Sequence, residues 1–178
     1  MTIYLIRHGK TLANERRLYC GSTDLGLSEQ GRGELKTIHF DISNVRFRTS
    51  GMKRANETME LLFPGVPYEQ DSRFREVDFG VFEMHSYEEL KERADYQAWL
   101  TGDNERNVPP GGESGEQMTA RVLSAYRGLT EDTCLVTHGG VIAAIMASLF
   151  PEENRHRYQW QPPNGHGYRI TEEGWEPI

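Results

Sequence analysis

The sequence lacks the features that mark several classes of protein. It has two cysteines in 178 residues, Cys20 in a loop-like stretch and Cys134 in an apolar run, which fits a reducing compartment better than a disulfide framework. Its longest apolar stretch, GGVIAAIMASLF over residues 139–150, is far shorter than the roughly 20 residues of a membrane span. The N-terminus shows no signal-peptide pattern. We therefore expect a cytoplasmic protein without a membrane partner.

Positive charge is also scarce. Lys and Arg number 20 against 27 Asp and Glu, which gives a net charge of -7, and the basic residues form no block. Binding to a phosphate backbone needs a basic face, so nucleic acid is not an expected partner. No repeat, low-complexity tract or linker divides the chain, and 37% of its residues are hydrophobic. We predict that residues 1–178 form a single domain with one core.

The apolar pattern alternates between the periods of strands and helices. We predict strands over residues 3–6, 45–49, 65–69 and 133–137. We predict helices over residues 28–38, 54–62, 114–129 and 141–150, with Ser114 as an N-cap. Such an alternation is typical of an α/β fold in which helices cover both faces of a mostly parallel sheet.

Two histidines directly follow predicted strands, and each is followed by glycine. The first strand leads into Arg7-His8-Gly9 and the last into His138-Gly139-Gly140. Ligands of open α/β sheets bind beyond the carboxyl ends of the strands, so we expect the two imidazoles to meet there. Neither histidine has a His or Cys at metal-motif spacing, and Arg7 would repel a cation, so we expect no metal. Arginine suits a phosphate instead.

Four segments together resemble the histidine phosphatase superfamily, also called the phosphoglycerate mutase-like family. They are RHGKT at 7–11, KRANET at 53–58, FREVDFGVFE at 74–83 and THGG at 137–140. The resemblance implies a three-layer α/β/α sandwich with a doubly wound sheet. It also implies phosphoryl transfer through a phosphohistidine, with neither a metal nor an organic cofactor.

The resemblance assigns roles to three side chains that take part in the reaction. His8 is the nucleophile, since one imidazole nitrogen is unprotonated near neutral pH. His138 faces the same phosphoryl group, and Glu76 is the acid that protonates the leaving oxygen. Asp78 and Glu83 are rivals for the role of the acid.

The same resemblance assigns the phosphate-binding groups. Arg7 and Arg54 supply positive donors to the phosphoryl oxygens, and Asn14 matches a position that contacts them. If Gly139 and Gly140 open the last predicted helix, their backbone amides add donors aligned with its dipole.

The substrate pocket is less well defined by the sequence. Three departures from the family pattern are Lys10, Gly51-Met52 and Met84. The candidate substrate-rim residues are Thr11, Met84, His85 and Tyr87.

The expected substrate is a small phosphorylated metabolite. A phosphoglycerate mutase must keep water from its phosphohistidine with a longer insertion, so this compact chain favours a phosphatase. The PPGGES segment at 109–114 resembles the α-ribazole phosphatase group, which places α-ribazole-5'-phosphate first among named substrates. A cofactor-dependent phosphoglycerate mutase and a broad-specificity phosphatase stay open, and a phosphometabolite-binding sensor is the alternative without catalysis. The YQWQPP segment at 158–163 is expected in the core or in a homodimer contact.

Overall fold

Six strands form one mixed sheet in the part of the chain that the computed structural model describes, residues 1–103 and 105–178. They are β1 (Ile3–Arg7), β2 (Arg46–Thr49), β3 (Glu69–Gln70), β4 (Thr133–Thr137), β5 (Gly167–Thr171) and β6 (Gly174–Pro177), in the spatial order β3-β2-β4-β1-β5-β6. Strands β1 to β4 pair in parallel, whereas β5 is antiparallel to both β1 and β6. The carboxyl ends of β1, β2 and β4 therefore meet at one edge.

Helices connect the strands. They are α1 (Leu12–Glu15), α2 (Glu29–Leu35), α3 (Lys53–Leu62), α4 (Tyr87–Leu90), α5 (Ala94–Leu100), α6 (Gly115–Arg127) and α7 (Gly139–Leu149). As predicted, Ser114 caps α6, and its hydroxyl accepts a hydrogen bond from the amide of Gln117. In the described ranges, no helix is long and apolar enough to cross a membrane.

Two hydrophobic cores lie on the two faces of the sheet, because side chains alternate along each strand. In β1, Ile3 and Leu5 belong to the core that contains α6 and α7, and Ile6 belongs to the core that contains α3. In β4, Leu135 joins the first core and Cys134 the second. The predicted three-layer α/β/α arrangement is confirmed.

Most predicted elements are present, with ends that match or are shifted by at most three residues. Confirmed are the strands at 3–6, 45–49 and 133–137 and the helices at 28–38, 54–62, 114–129 and 141–150. The strand predicted at 65–69 is wrong, because β3 comprises only Glu69–Gln70. Pro67 has no N–H to give to a β ladder, so pairing begins after it. The apolar pattern does not predict β5, β6 or the short helices α1, α4 and α5.

The connection from β3 to α6 and the loop after α1 together contribute a separate group of rings. We call it the aromatic cluster and define it as Tyr19, Phe79, Phe82, Tyr96 and Trp99. Its contacting rings have centroids 5.0 to 6.2 Å apart, and the hydroxyls of Tyr19 and Tyr96 are 2.7 Å apart. The cluster joins the loop after α1 to α5 and thereby places α5 beside the carboxyl edge of the sheet.

Candidate active site

The two strand-end histidines meet at the carboxyl edge of the sheet. Because β1 and β4 are neighbours with Arg7 opposite Thr137, the residues that follow both strands emerge side by side. The rings of His8 and His138 have centroids 5.2 Å apart and an interplanar angle of 61°. The convergence expected from the sheet topology is therefore observed.

The hydrogen bonds of His8 fix which ring nitrogen carries the proton. Nδ1 lies 2.7 Å from the carbonyl oxygen of Gly9, which can only accept, so Nδ1 is protonated and Nε2 keeps its lone pair. Burial lowers the pKa of His8 well below its ordinary value, and the positive charge of Arg54 lowers it further. The result is a neutral imidazole with a free nucleophilic nitrogen.

His138 is held in a different way. Its Nε2 is 2.8 Å from the hydroxyl oxygen of Ser50, which also accepts a hydrogen bond from the amide of Met52. Its Nδ1 is buried and has no hydrogen-bond partner in the described part of the chain. Burial, followed by the charge of Arg54, lowers the pKa of His138 well below its ordinary value. If the Ser50 hydroxyl donates to Nε2, the neutral ring has an N–H to offer at Nδ1.

Two arginines lie beside these rings without a carboxylate partner in the described ranges. Arg54 is 1% exposed and donates to the carbonyls of Gly21 and Thr23, each at 2.8 Å. Arg7 donates to the carbonyl of Pro162, while its buried Nε has no hydrogen-bond partner among the residues described. Burial lowers the pKa of Arg7, and the Glu76 carboxylate opposes that shift. Buried cations without counter-ions are costly, so this site favours an anion.

Glu76 lies next to the start of α7. One carboxylate oxygen accepts a hydrogen bond from the amide of Gly140 at 2.8 Å, and the other accepts from the amide of Val77 at 3.0 Å. A Cβ placed on Gly140 would lie 2.4 Å from Oε1 of Glu76. Glycine thus permits the close approach of the carboxylate to the helix start, and α7 does begin at Gly139.

The rival carboxylates are engaged in the neighbouring loop. Glu83 accepts hydrogen bonds from the amides of Gly21 and Ser22 and from the hydroxyls of Ser22 and Thr23. Asp78 accepts from the Ser22 hydroxyl and from the amide of Gly80. Both carboxylates hold loop backbone around Ser22, whereas Glu76 lies beside the start of α7, and its assignment as the acid stays a prediction.

Asn14 and Thr11 form the cap of α1. The Thr11 hydroxyl accepts from the Asn14 amide at 3.2 Å, and the Asn14 side-chain oxygen accepts from the Thr11 amide at 3.0 Å. This accounts for the burial of Thr11, which is 1% exposed. The assignment of Asn14 as a phosphate ligand stays a prediction.

A cavity of about 390 Å³ opens beside Glu76. Its lining comprises Tyr19, Glu76, Val77, Phe79, Trp99, Leu100, Glu105, Glu113, Gly115, Met118, Gly140, Arg157, Tyr158 and Gln161. The candidate rim residues Thr11, Met84, His85 and Tyr87 are not part of that lining, and their role stays a prediction.

The cavity wall includes four aromatic side chains and carries no unpaired positive charge among its described residues. Arg157, the one cation in that lining, forms an ion pair with Glu105. The sequence did not predict Trp99 as a wall residue, and it gave Tyr158 and Trp160 the same expected place in the core or in a homodimer contact. Trp160 is fully buried in the core, as expected for its segment, whereas Tyr158 is 56% exposed and borders the cavity.

The chain matches the family model described as Histidine phosphatase superfamily (branch 1) over residues 3–177. It belongs to that superfamily. An adenosylcobalamin/alpha-ribazole phosphatase of Salmonella typhimurium is 33% identical to this histidine phosphatase over 162 residues, which are 84% of this chain and 79% of that protein. The family and these phosphatase relatives make the chain a phosphatase.

Solved structures support the same fold. A protein of Escherichia coli K-12, provisionally named an alpha-ribazole-5'-P phosphatase, has a TM-score of 0.81 at 26% identity, covering 100% of this chain and 94% of that one. A phosphoglycerate mutase of Thermus thermophilus has a TM-score of 0.78 at 29% identity, covering 100% and 96%. The similarities therefore include both phosphatase and mutase names.

Proposed function

We propose that this histidine phosphatase hydrolyses phosphomonoesters through a phosphohistidine on His8. We further propose that the alcohol half of its substrate is uncharged and carries a planar aromatic group, with α-ribazole-5'-phosphate as the first candidate. The observation that carries the proposal is the pair of buried imidazoles beside the buried Arg54 and the half-buried Arg7, neither of which has a carboxylate partner in the described ranges.

The reaction has two steps. Nε2 of His8 attacks phosphorus, the bond from phosphorus to the ester oxygen breaks, and Glu76 gives its proton to that oxygen as the alcohol leaves. Water then attacks phosphorus, Glu76 takes a proton from the water, the bond from phosphorus to Nε2 of His8 breaks, and inorganic phosphate leaves. Arg7, Arg54 and the Nδ1–H of His138 donate to the phosphoryl oxygens, whose negative charge persists through both steps.

The cavity supports the proposed alcohol. It begins at Glu76, where the leaving oxygen would receive its proton, and one of its walls contains the mutually packed rings of Tyr19, Phe79 and Trp99. Such a wall favours an aromatic group through apolar burial and ring stacking. This leaving group agrees with the name of the Salmonella relative.

The charge of the cavity disfavours the mutase alternative. Arg157 is already paired with Glu105, and Glu113 is paired with Arg121, so neither pair leaves a cation for a carboxylate of the substrate. The carboxylate of 3-phosphoglycerate would find no free cation among the described residues of this lining, and it would meet other carboxylates.

A panel of phosphate esters tests the proposal. In the absence of added metal, we expect phosphate release from α-ribazole-5'-phosphate with a kcat/KM at least roughly tenfold above that for 3-phosphoglycerate. Faster reaction of 3-phosphoglycerate would contradict the proposed alcohol. Inactivity of a folded protein on every ester, including an aryl phosphate, would favour the sensor.

Replacement of the nucleophile tests the mechanism. His8→Ala should abolish both turnover and the acid-labile phosphoenzyme, because no other described side chain supplies that nitrogen. The matched control is His39→Gln, which removes an exposed imidazole and should leave both unchanged. Normal turnover by His8→Ala would exclude this mechanism.

A further inference from the structure

A single guanidinium holds the backbone that carries Glu76. From α6, Nη1 of Arg121 donates to the carbonyls of Arg73 and Arg75 at 2.8 and 2.7 Å, and Nη2 donates to the carbonyl of Glu76 at 3.0 Å. Glu76 lies between two short 3-10 turns, Ser72–Phe74 and Gly80–Phe82, and outside every strand of the described sheet. No ladder fixes its backbone, so side-chain contacts have to do so.

Glu113 fixes the guanidinium in turn. Its two carboxylate oxygens accept from Nε and Nη2 of Arg121, which is the bidentate arrangement that holds an arginine in one plane. The Glu113 backbone amide donates to the carbonyl of Asp78 at 2.9 Å, and its carboxylate accepts from the Asp78 amide at 3.3 Å. The pair therefore forms hydrogen bonds with the backbone both before Glu76 and after it, at Asp78.

Both partners are partly buried. Side-chain exposure is 27% for Arg121 and 22% for Glu113, so this pair is less screened than the surface ion pairs of the molecule. Loss of either partner would leave the other partly buried and unpaired, and would free backbone carbonyls that now accept hydrogen bonds.

We propose that Arg121 and Glu113 are positioning residues for proton transfer by Glu76, and this rests on the proposed function. The two side chains act on the backbone of Glu76, while the carboxylate itself is held by the amides of Gly140 and Val77. A displacement of about 1 Å at an acid is enough to lower a rate by about 10²-fold. The effect should be large for leaving groups that need a proton and small for those that do not.

The test compares kcat/KM for an alkyl phosphate, whose leaving oxygen needs a proton, with that for an aryl phosphate, whose leaving oxygen does not. For Arg121→Met we expect a loss of about 10²-fold on the alkyl ester and of less than about threefold on the aryl ester. Arg121→Lys and Glu113→Gln should show the same selectivity with smaller losses. These two variants keep the test decisive if Arg121→Met fails to fold by circular dichroism.

A double variant separates positioning from a structural role. If Arg121 acts through Glu76, then Arg121→Met should change the alkyl rate of Glu76→Gln by less than about twofold. The matched control is Arg46→Met, which removes an exposed arginine paired with Glu131 at 3.0 Å, and it should leave both rates unchanged. Equal losses on the two esters, or additive losses in the double variant, would overturn the positioning role.

The outcomes also distinguish this inference from the proposed function. If Glu76→Gln is itself unselective between the esters, Glu76 is not the acid, and both proposals fail at that residue. If Glu76→Gln is selective but the variants at Arg121 and Glu113 are not, only the positioning role is overturned.

Discussion

Single atoms at the carboxyl edge of the sheet decide how the two imidazoles differ. The carbonyl of Gly9 requires a proton on Nδ1 of His8, whereas the hydroxyl of Ser50 meets Nε2 of His138. In the proposed mechanism, one ring offers a lone pair to phosphorus, and the other offers an N–H to a phosphoryl oxygen when the Ser50 hydroxyl donates to its Nε2. The difference arises from one neighbour for each ring rather than from the rings themselves.

Ser50 provides the first prediction at this scale. Ser50→Ala removes the hydroxyl that lies 2.8 Å from Nε2 of His138, and we expect kcat/KM for an aryl phosphate to fall about tenfold, equivalent to about 1.4 kcal/mol. Ser124→Ala, at an exposed position of α6, is the control and should leave kcat/KM unchanged. Wild-type kinetics in Ser50→Ala would show that His138 needs no orientation from Ser50.

Two glycine-to-alanine changes should have different effects, one on activity at Gly140 and the other on stability at Gly33. Gly140→Ala would place a methyl group 2.4 Å from Oε1 of Glu76 and push the carboxylate away, so we expect an alkyl-selective loss of about 10²-fold in kcat/KM. Gly33→Ala on α2 is the matched control, because a Cβ there meets no atom within 4 Å. It should raise stability by up to about 1 kcal/mol in urea unfolding without affecting activity. Unaltered alkyl kinetics in Gly140→Ala would argue against Glu76 as the acid.

At the scale of elements, α5 supplies a wall of the cavity through Trp99. We expect Trp99→Leu, which keeps an apolar side chain but loses the ring plane, to raise KM for α-ribazole-5'-phosphate roughly tenfold and to leave KM for glycerol phosphate unchanged. Tyr87→Leu is the control, because this ring is 55% exposed and outside the cavity lining. A larger change in KM for Tyr87→Leu than for Trp99→Leu would indicate that the substrate binds at the predicted rim and not in this cavity.

The elements also show which parts of the site follow from the sequence. His8 and His138 were predictable, because each is adjacent to a strand whose apolar run is local in the sequence, and parallel strands share a carboxyl edge. Ser50 directly follows β2, so the same rule could have placed it at the carboxyl edge beside the histidines. Its role depends on the pairing of β2 with β4, which no local pattern states.

The cavity and the Arg121 contacts depend on packing between distant segments. Trp99 and Tyr158 border one cavity although they belong to different elements, and nothing in the spacing of either residue marks it as a wall residue. Arg121 lies on the predicted helix at 114–129, but its reach to three carbonyls follows from the path of an irregular segment. Sequence periods describe helices and strands, and they carry no information about such paths.

At the scale of the whole molecule, the two buried imidazoles link stability to pH. Burial lowers the pKa of both His8 and His138, whereas in the unfolded chain each titrates near about 6.5. Below that pH the unfolded state binds protons that the folded state does not. Their contribution to stability is therefore complete above about pH 6.5 and is lost as the pH falls toward the lowered pKa values.

We expect the free energy of unfolding to fall below about pH 6.5 by at most about 1.4 kcal/mol per pH unit for each histidine. Urea unfolding in phosphate-free buffer measures this slope. His138→Gln should reduce the slope, and His39→Gln, which alters an exposed ring, should reduce it less. Equal slopes in the parent protein and in His138→Gln would contradict the linkage.

The pairing of β1 with β4 joins the first strand of the chain to one that begins at residue 133. During synthesis, the ribosome releases His8 long before His138 exists, so a growing chain holds the proposed nucleophile and both arginines but lacks the second imidazole. Under the proposed mechanism, chains halted before residue 138 should release no phosphate from esters.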